Sequence, residues 1–241
     1  MVLVPLVAAP SLMFAVSAAE RRFGAAVAGA MAAMPVALSV VVLAVGATLA
    51  AGAAAHVVAL VAFALAFAFV VERRGAALAV VAGAGSFALG SLLLTPLPTV
   101  AAIALAVPAL TLAPRPATST PETSSDPMRG ATALGAMASV SMVAAALTTS
   151  DLAGPAAAGT IGAFPALSTA FAVLLVRTRG PRAAATALRG LIGGLRAYLV
   201  FTVTVALAAP ALGVYTAVPV ALTLCLVTYA ALLSSSRALM K

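Results

Sequence analysis

No Asp, Glu, Lys or Arg lies between Arg22 and Glu72, between Arg74 and Arg115, or between Arg196 and Arg237. Uncharged stretches of that length, filled with Ala, Val, Leu, Gly and Phe, cannot supply the surface of a water-soluble domain. They suit transmembrane helices, each of which needs about 20 apolar residues to cross about 30 Å of hydrocarbon. A transmembrane β-barrel would alternate apolar and polar residues along every strand, and the chain has no such alternation. With 64% of its 241 residues hydrophobic and 7% charged, it reads as an all-α, polytopic transmembrane helix bundle.

Breaks in the apolar pattern predict about nine helices, over 2–18, 24–46, 53–71, 76–94, 99–113, 131–147, 154–176, 183–209 and 212–233. The stretch PRPATSTPETSSDPMRG at 114–130 is rich in Pro, Ser and Thr and reads as a linker on the membrane surface. It separates an N-terminal half of five helices, 1–113, from a C-terminal half of four, 131–241. The first apolar run resembles a signal peptide, with Val16-Ser17-Ala18 like a cleavage site. A signal peptide carries its positive charges before the apolar core, whereas here Arg21 and Arg22 follow it. All basic residues except Arg189 and Arg196 fall in alternate connections, which positive-inside bias assigns to the cytoplasm. That places the N-terminus outside, and the linker and C-terminus inside. The net charge of +8 has the same cause, so nucleic acid is not an expected partner. Gly83, Gly85 and Gly90 are expected to let the fourth helix approach a neighbour closely.

One segment occurs twice. Residues 24–45 read GAAVAGAMAAMPVALSVVVLAV and residues 154–175 read GPAAAGTIGAFPALSTAFAVLL. Without a gap, Gly24 meets Gly154, Gly29 meets Gly159 and Pro35 meets Pro165. The second helix thus matches the seventh, and that odd offset makes the copies run in opposite directions. The flanking charges agree, with arginines before the first copy and after the second. Inverted repeats with Pro-interrupted helices in corresponding places point to a midplane binding site, as in many secondary transporters. Proline is also more frequent in transmembrane helices than in soluble ones, so the pair has a purely structural reading too.

Arg189 and Arg196 lie seven residues apart on one face of the eighth helix, in line with Arg182. Arg189 can snorkel to the cytoplasmic edge. Arg196 lies about 10 Å deeper. There it either contacts an anionic group of a substrate or lipid, or snorkels or binds a carbonyl. Gly190, Gly193 and Gly194 would leave space beside it, and Tyr198, Thr202 and Thr204 could add hydroxyls. His56 reads as an interfacial histidine wetted by headgroups, with titration or ligand binding as the sharper alternative. Glu20 and Glu72 read as solvated edge groups beside their neighbouring arginines. Cys225, alone in an apolar run, reads as an inert buried thiol. No nucleotide loop, metal-ligand cluster or nucleophile–base set is present, so neither an enzyme nor a cofactor is expected.

Arg21-Arg22-Phe23-Gly24, then Gly29 and Pro35, resemble a group of uncharacterised bacterial multispanning membrane proteins. That resemblance implies a bacterial cytoplasmic (inner) membrane location and no known activity. The five-helix inverted unit is similar in architecture to the drug/metabolite transporter fold, which usually has ten helices and its N-terminus inside. The expected function is a small inner-membrane transporter or flippase moving a small or amphiphilic substrate, anionic if Arg196 reads it. Candidate substrate-contacting residues are Pro35, Pro165, Gly193, Arg196 and Tyr198. The alternative is a non-transporting membrane subunit that scaffolds or stabilises a larger complex. Expected partners are the lipid bilayer, a small-molecule or lipid substrate, and other membrane subunits under the second reading.

Overall fold

The computed structural model describes residues 3–94, 97–113 and 163–238, together with Met137, Ser141, Thr148 and Leu152. The expected linker at 114–130, most of the sixth helix, and Gly154 and Gly159 lie outside the described residues. Every described element is helical. The helices are α1 (Leu3–Phe23), α2 (Ala25–Ala32), α3 (Val36–Val45), α4 (Thr48–Ala55) and α5 (Val57–Arg74). They continue as α6 (Ala76–Leu94), α7 (Thr99–Leu112), α8 (Ala166–Arg179), α9 (Pro181–Leu212) and α10 (Val214–Ala238). Among the described residues, three stretches are long and apolar enough to cross a membrane: Ala76–Leu94, Pro181–Leu212 and Val214–Leu232.

Chain reversals are tight because glycine makes them. Gly75 joins α5 to α6 at φ 83° and ψ 177°, and Gly180 joins α8 to α9 at φ 87° and ψ 172°. Only glycine adopts that region without strain. Each follows an arginine-ended helix, so charge and turn chemistry act together at these ends. Pro181 then occupies the first turn of α9, where its missing N–H costs nothing.

The apolar pattern locates α6 as expected but misplaces other boundaries. The predicted second helix is two helices, broken over Ala33–Met34–Pro35, because the proline ring cannot accept a helical turn before it. The segment read as a turn before the third helix is itself helical, as α4, and the chain bends instead at His56. The eighth helix does not stop at Pro210. It runs on to Leu212, because a proline so near a helix end removes only one ladder bond.

Helix α9 is the hub. It touches α2, α4, α5, α7, α8 and α10, and 56% of its spanning stretch is buried, against 28% for α6 and 22% for α10. The last two therefore present most of their apolar surface outward, as lipid-facing helices do. Phe63, Phe67, Phe171 and Phe201 are the largest fully buried side chains of the core.

The seam between α2 and α9 has almost no side chains in it. A Cβ built on Gly29 would collide with the Ala187 carbonyl, one on Gly190 with the Ala26 carbonyl, and one on Gly194 with the Ala30 carbonyl. Gly83 and Gly90 make looser approaches of α6 to the side chains of Phe63 and Ala59 of α5. Gly85 faces open space instead. Gly190→Ala or Gly194→Ala should therefore cost about 1–3 kcal/mol through forced separation of two backbones. Gly85→Ala should leave stability unchanged or slightly raised. Thermal unfolding of the three variants in one detergent checks this, and an equal loss in all three would contradict the seam.

Candidate functional site

Pro35 and Pro165 are both buried, and each begins a helix after a break. Their backbones nearly coincide, at φ −81° and ψ 38° for Pro35 and φ −82° and ψ 56° for Pro165. The N–H of Val36 donates to the Met34 carbonyl at 2.9 Å, and that of Ala166 to the Phe164 carbonyl at 2.9 Å. Each proline is thus the centre of an inverse γ-turn. The helix beyond it starts the same way as well. Ser39 N–H and Thr169 N–H donate to the carbonyls of Pro35 and Pro165, both at 2.8 Å. The Ser39 hydroxyl donates to the Val36 carbonyl at 2.7 Å, and the Thr169 hydroxyl to the Pro165 carbonyl at 2.8 Å. Ser39 and Thr169 occupy matching places in the two sequence copies. Their pairing was readable there and is absent from the residues singled out above.

The surroundings of the two breaks differ. The first lies against α9, where Ala33 packs beside Gly194. Tyr229 of α10 donates its hydroxyl to the Val27 carbonyl of α2 at 3.2 Å. The second is enclosed by aromatic rings. Phe164 sits 5.4 Å from Phe87 and 6.3 Å from Phe63, ring centre to ring centre, in edge-on geometry that suits aromatic quadrupoles. Phe87 in turn lies 6.2 Å from His56. His56 is buried rather than wetted by headgroups, and its Nδ1 donates to the Gly52 carbonyl at the α4–α5 bend.

The Arg196 guanidinium finds a carbonyl. Its Nη2 donates to the Leu110 carbonyl at 2.6 Å. Leu110 is in the last turn of α7, where carbonyls lack intrahelical donors and the helix dipole is negative. A cation there stabilises the helix end. Gly193 lies one turn before Arg196, and a Cβ on it would meet only Arg196 Nη1, at 4.0 Å. The space expected beside Gly190 and Gly194 is instead filled by the backbone of α2. Tyr198 is buried on α9. The Thr202 hydroxyl is engaged within its own helix, with the carbonyls of Tyr198 and Leu199 at 3.2 and 3.1 Å. Gly193 and Arg196 thus lie on the side of α9 that reaches α7, and the Pro35 break lies on the side that Gly194 turns to α2. Pro165 lies on the aromatic side against α5 and α6.

Glu20 and Glu72 each reach an arginine distant in sequence. Glu20 Oε2 accepts from Arg179 Nη2 at 3.3 Å, with both side chains about 5% exposed or less. Glu72 Oε1 accepts from Arg189 Nη2 at 3.4 Å, about a third exposed. Neighbours one and two residues away point to other faces of a helix. Cys225 is buried, as its sequence context suggested. Among the described residues, no group of three or more His, Cys, Asp or Glu could hold a metal ion.

Compared with protein-family models, with curated proteins and with solved structures, the chain matches none.

The carbonyl contact makes a stability prediction. Arg196→Ala removes a charged donor from the end of α7 and should lower stability by about 1.5–3 kcal/mol. Arg196→Lys should recover part of the loss. Thermal unfolding reads the result, and an unchanged midpoint for Arg196→Ala would show that the arginine holds no helix end.

Proposed function

We propose that the chain is a bacterial inner-membrane transporter or flippase of about nine spans, built from two inverted halves, with its N-terminus outside and C-terminus cytoplasmic. The substrate is a small or amphiphilic molecule, and the arginine at depth favours an anionic one. The reading involves no catalysis, no cofactor and no nucleic acid. Its surroundings are the lipid bilayer.

One observation carries this reading. Two segments related in sequence share a proline γ-turn and the same first hydrogen bonds of the following helix, and matched broken helices are the feature around which inverted-repeat transporters bind their cargo. The connections support it. In the first half α3, α4–α5 and α6 follow one another across Gly46 and Gly75, and in the second α8, α9 and α10 follow across Gly180 and Gly213. Exchanging α3, α5 and α6 for α8, α9 and α10 carries two contacts onto contacts. The α5–α6 contact becomes α9–α10, and α3–α10 becomes α8–α6, each of which is present. Joining α2 to α3 and α4 to α5 as broken spans brings the described helices into line with the expected count.

Two measurements test the proposal. Reporter fusions within 114–130 and after Lys241 should read cytoplasmic, and fusions after Gly46 and after Leu97 should read outside. A linker read outside would overturn the topology and the inversion with it. The chain purified with native lipids should carry a small molecule or lipid, seen by mass spectrometry, whose retention falls in Pro35→Ala and in Pro165→Ala. A stoichiometric protein companion with no retained small molecule would favour the scaffolding subunit instead.

A further inference from the structure

Glu20 and Glu72 are the only acidic residues among the described ones. Each reaches across the chain's midpoint, Glu20 of α1 to Arg179 of α8 and Glu72 of α5 to Arg189 of α9. All four residues belong to the same end of the bundle. Glu20 and Glu72 lie in the last turns of α1 and α5, Arg179 closes α8, and Arg189 is about two turns into α9. That end also carries exposed Arg21, Arg22, Arg73, Arg74, Arg177 and Arg182. Among the described residues, two carboxylates thus stand with eight arginines at that end, and both pair between the halves.

We propose that these two ion pairs are a latch that closes the arginine-bearing end of the molecule between its halves. This rests on the transporter reading, and it names the gate of that same pathway. Taking the Glu20–Arg179 pair out of water costs as much as its attraction returns, so such a pair contributes little net stability and serves better as a specific, switchable contact. With these two carboxylates neutralised, the described residues at that end keep only arginines, and the halves lose their attraction there. The second pair lies directly above the candidate site. Arg189, Gly193 and Arg196 share one face of α9, with Arg189 held by α5 and Arg196 by α7, both in the first half. Gly193 is one turn, about 6 Å, behind the latch.

The test places a probe at that position. In a Cys225→Ala background, Gly193→Cys is labelled with a membrane-impermeant maleimide added from the arginine-bearing side of inverted vesicles. Labelling should rise severalfold in Glu20→Gln and in Glu72→Gln. It should return to the parental level when Glu20→Arg is combined with Arg179→Glu. Should Glu20→Gln fail to fold, Glu72→Gln, whose pair is more exposed, decides alone. Unchanged labelling in the folded variants, or a rise that the charge exchange does not reverse, would overturn the latch. Labelling needs no substrate, so the two ideas separate. A chain that opens but moves nothing keeps the latch and loses the transporter. One that carries cargo with labelling unchanged does the reverse.

Discussion

The contact of α2 with α9 is the constraint on which the rest of the bundle is built. Between helices in lipid there is no hydrophobic drive, because the acyl chains are as apolar as leucine. Association must come from many close atomic contacts, each worth only about 0.1–0.2 kcal/mol. Gly29, Gly190 and Gly194 allow two backbones to touch where larger residues would hold them apart. With one face of α9 fixed this closely, its other faces receive α5, α7, α8 and α10. The outward faces of α6 and α10 are left to the bilayer.

The polar groups divide by reach. Short hydroxyls return to their own helices, as Thr178, Thr202, Thr223 and Thr228 do to carbonyls three or four residues back. In an apolar medium this satisfies a donor locally but joins nothing to anything else. Long side chains reach between distant helices, as Arg179, Arg189, Arg196 and Tyr229 do. A few long polar residues therefore carry specific connectivity in a bundle otherwise held by shape.

The helical class and the limits of α6 were legible because uncharged runs of span length admit no other structure. The two prolines were legible because the segments around them resemble each other, and Ser39 and Thr169 could have been read the same way. Other features were not. The bend at His56 has no glycine or proline to announce it, and its packing against Phe87 of another helix is what the sequence could not display. Glu20 sits beside two arginines and pairs with a third, 159 residues away. Sequence adjacency is misleading there, because a helix turns adjacent side chains away from one another. For Arg196 the sequence left two partners open, and the carbonyl of Leu110 depends on where a separate, short helix ends.

The proline break at residues 33–35 divides one apolar segment into parts with different neighbours. Below the break, α2 is keyed to α9, each carbonyl seated in a notch that only a glycine provides. Keyed surfaces do not slide, since any translation along the axis drives a carbonyl into a methyl group. Beyond the break, α3 rests on α1, α4 and α10 and has no such notch. The α2–α9 seam therefore fixes α2 in register along its axis, while α3 is held only by ordinary side-chain packing. The γ-turn at Pro35 is where the chain passes from the one kind of contact to the other.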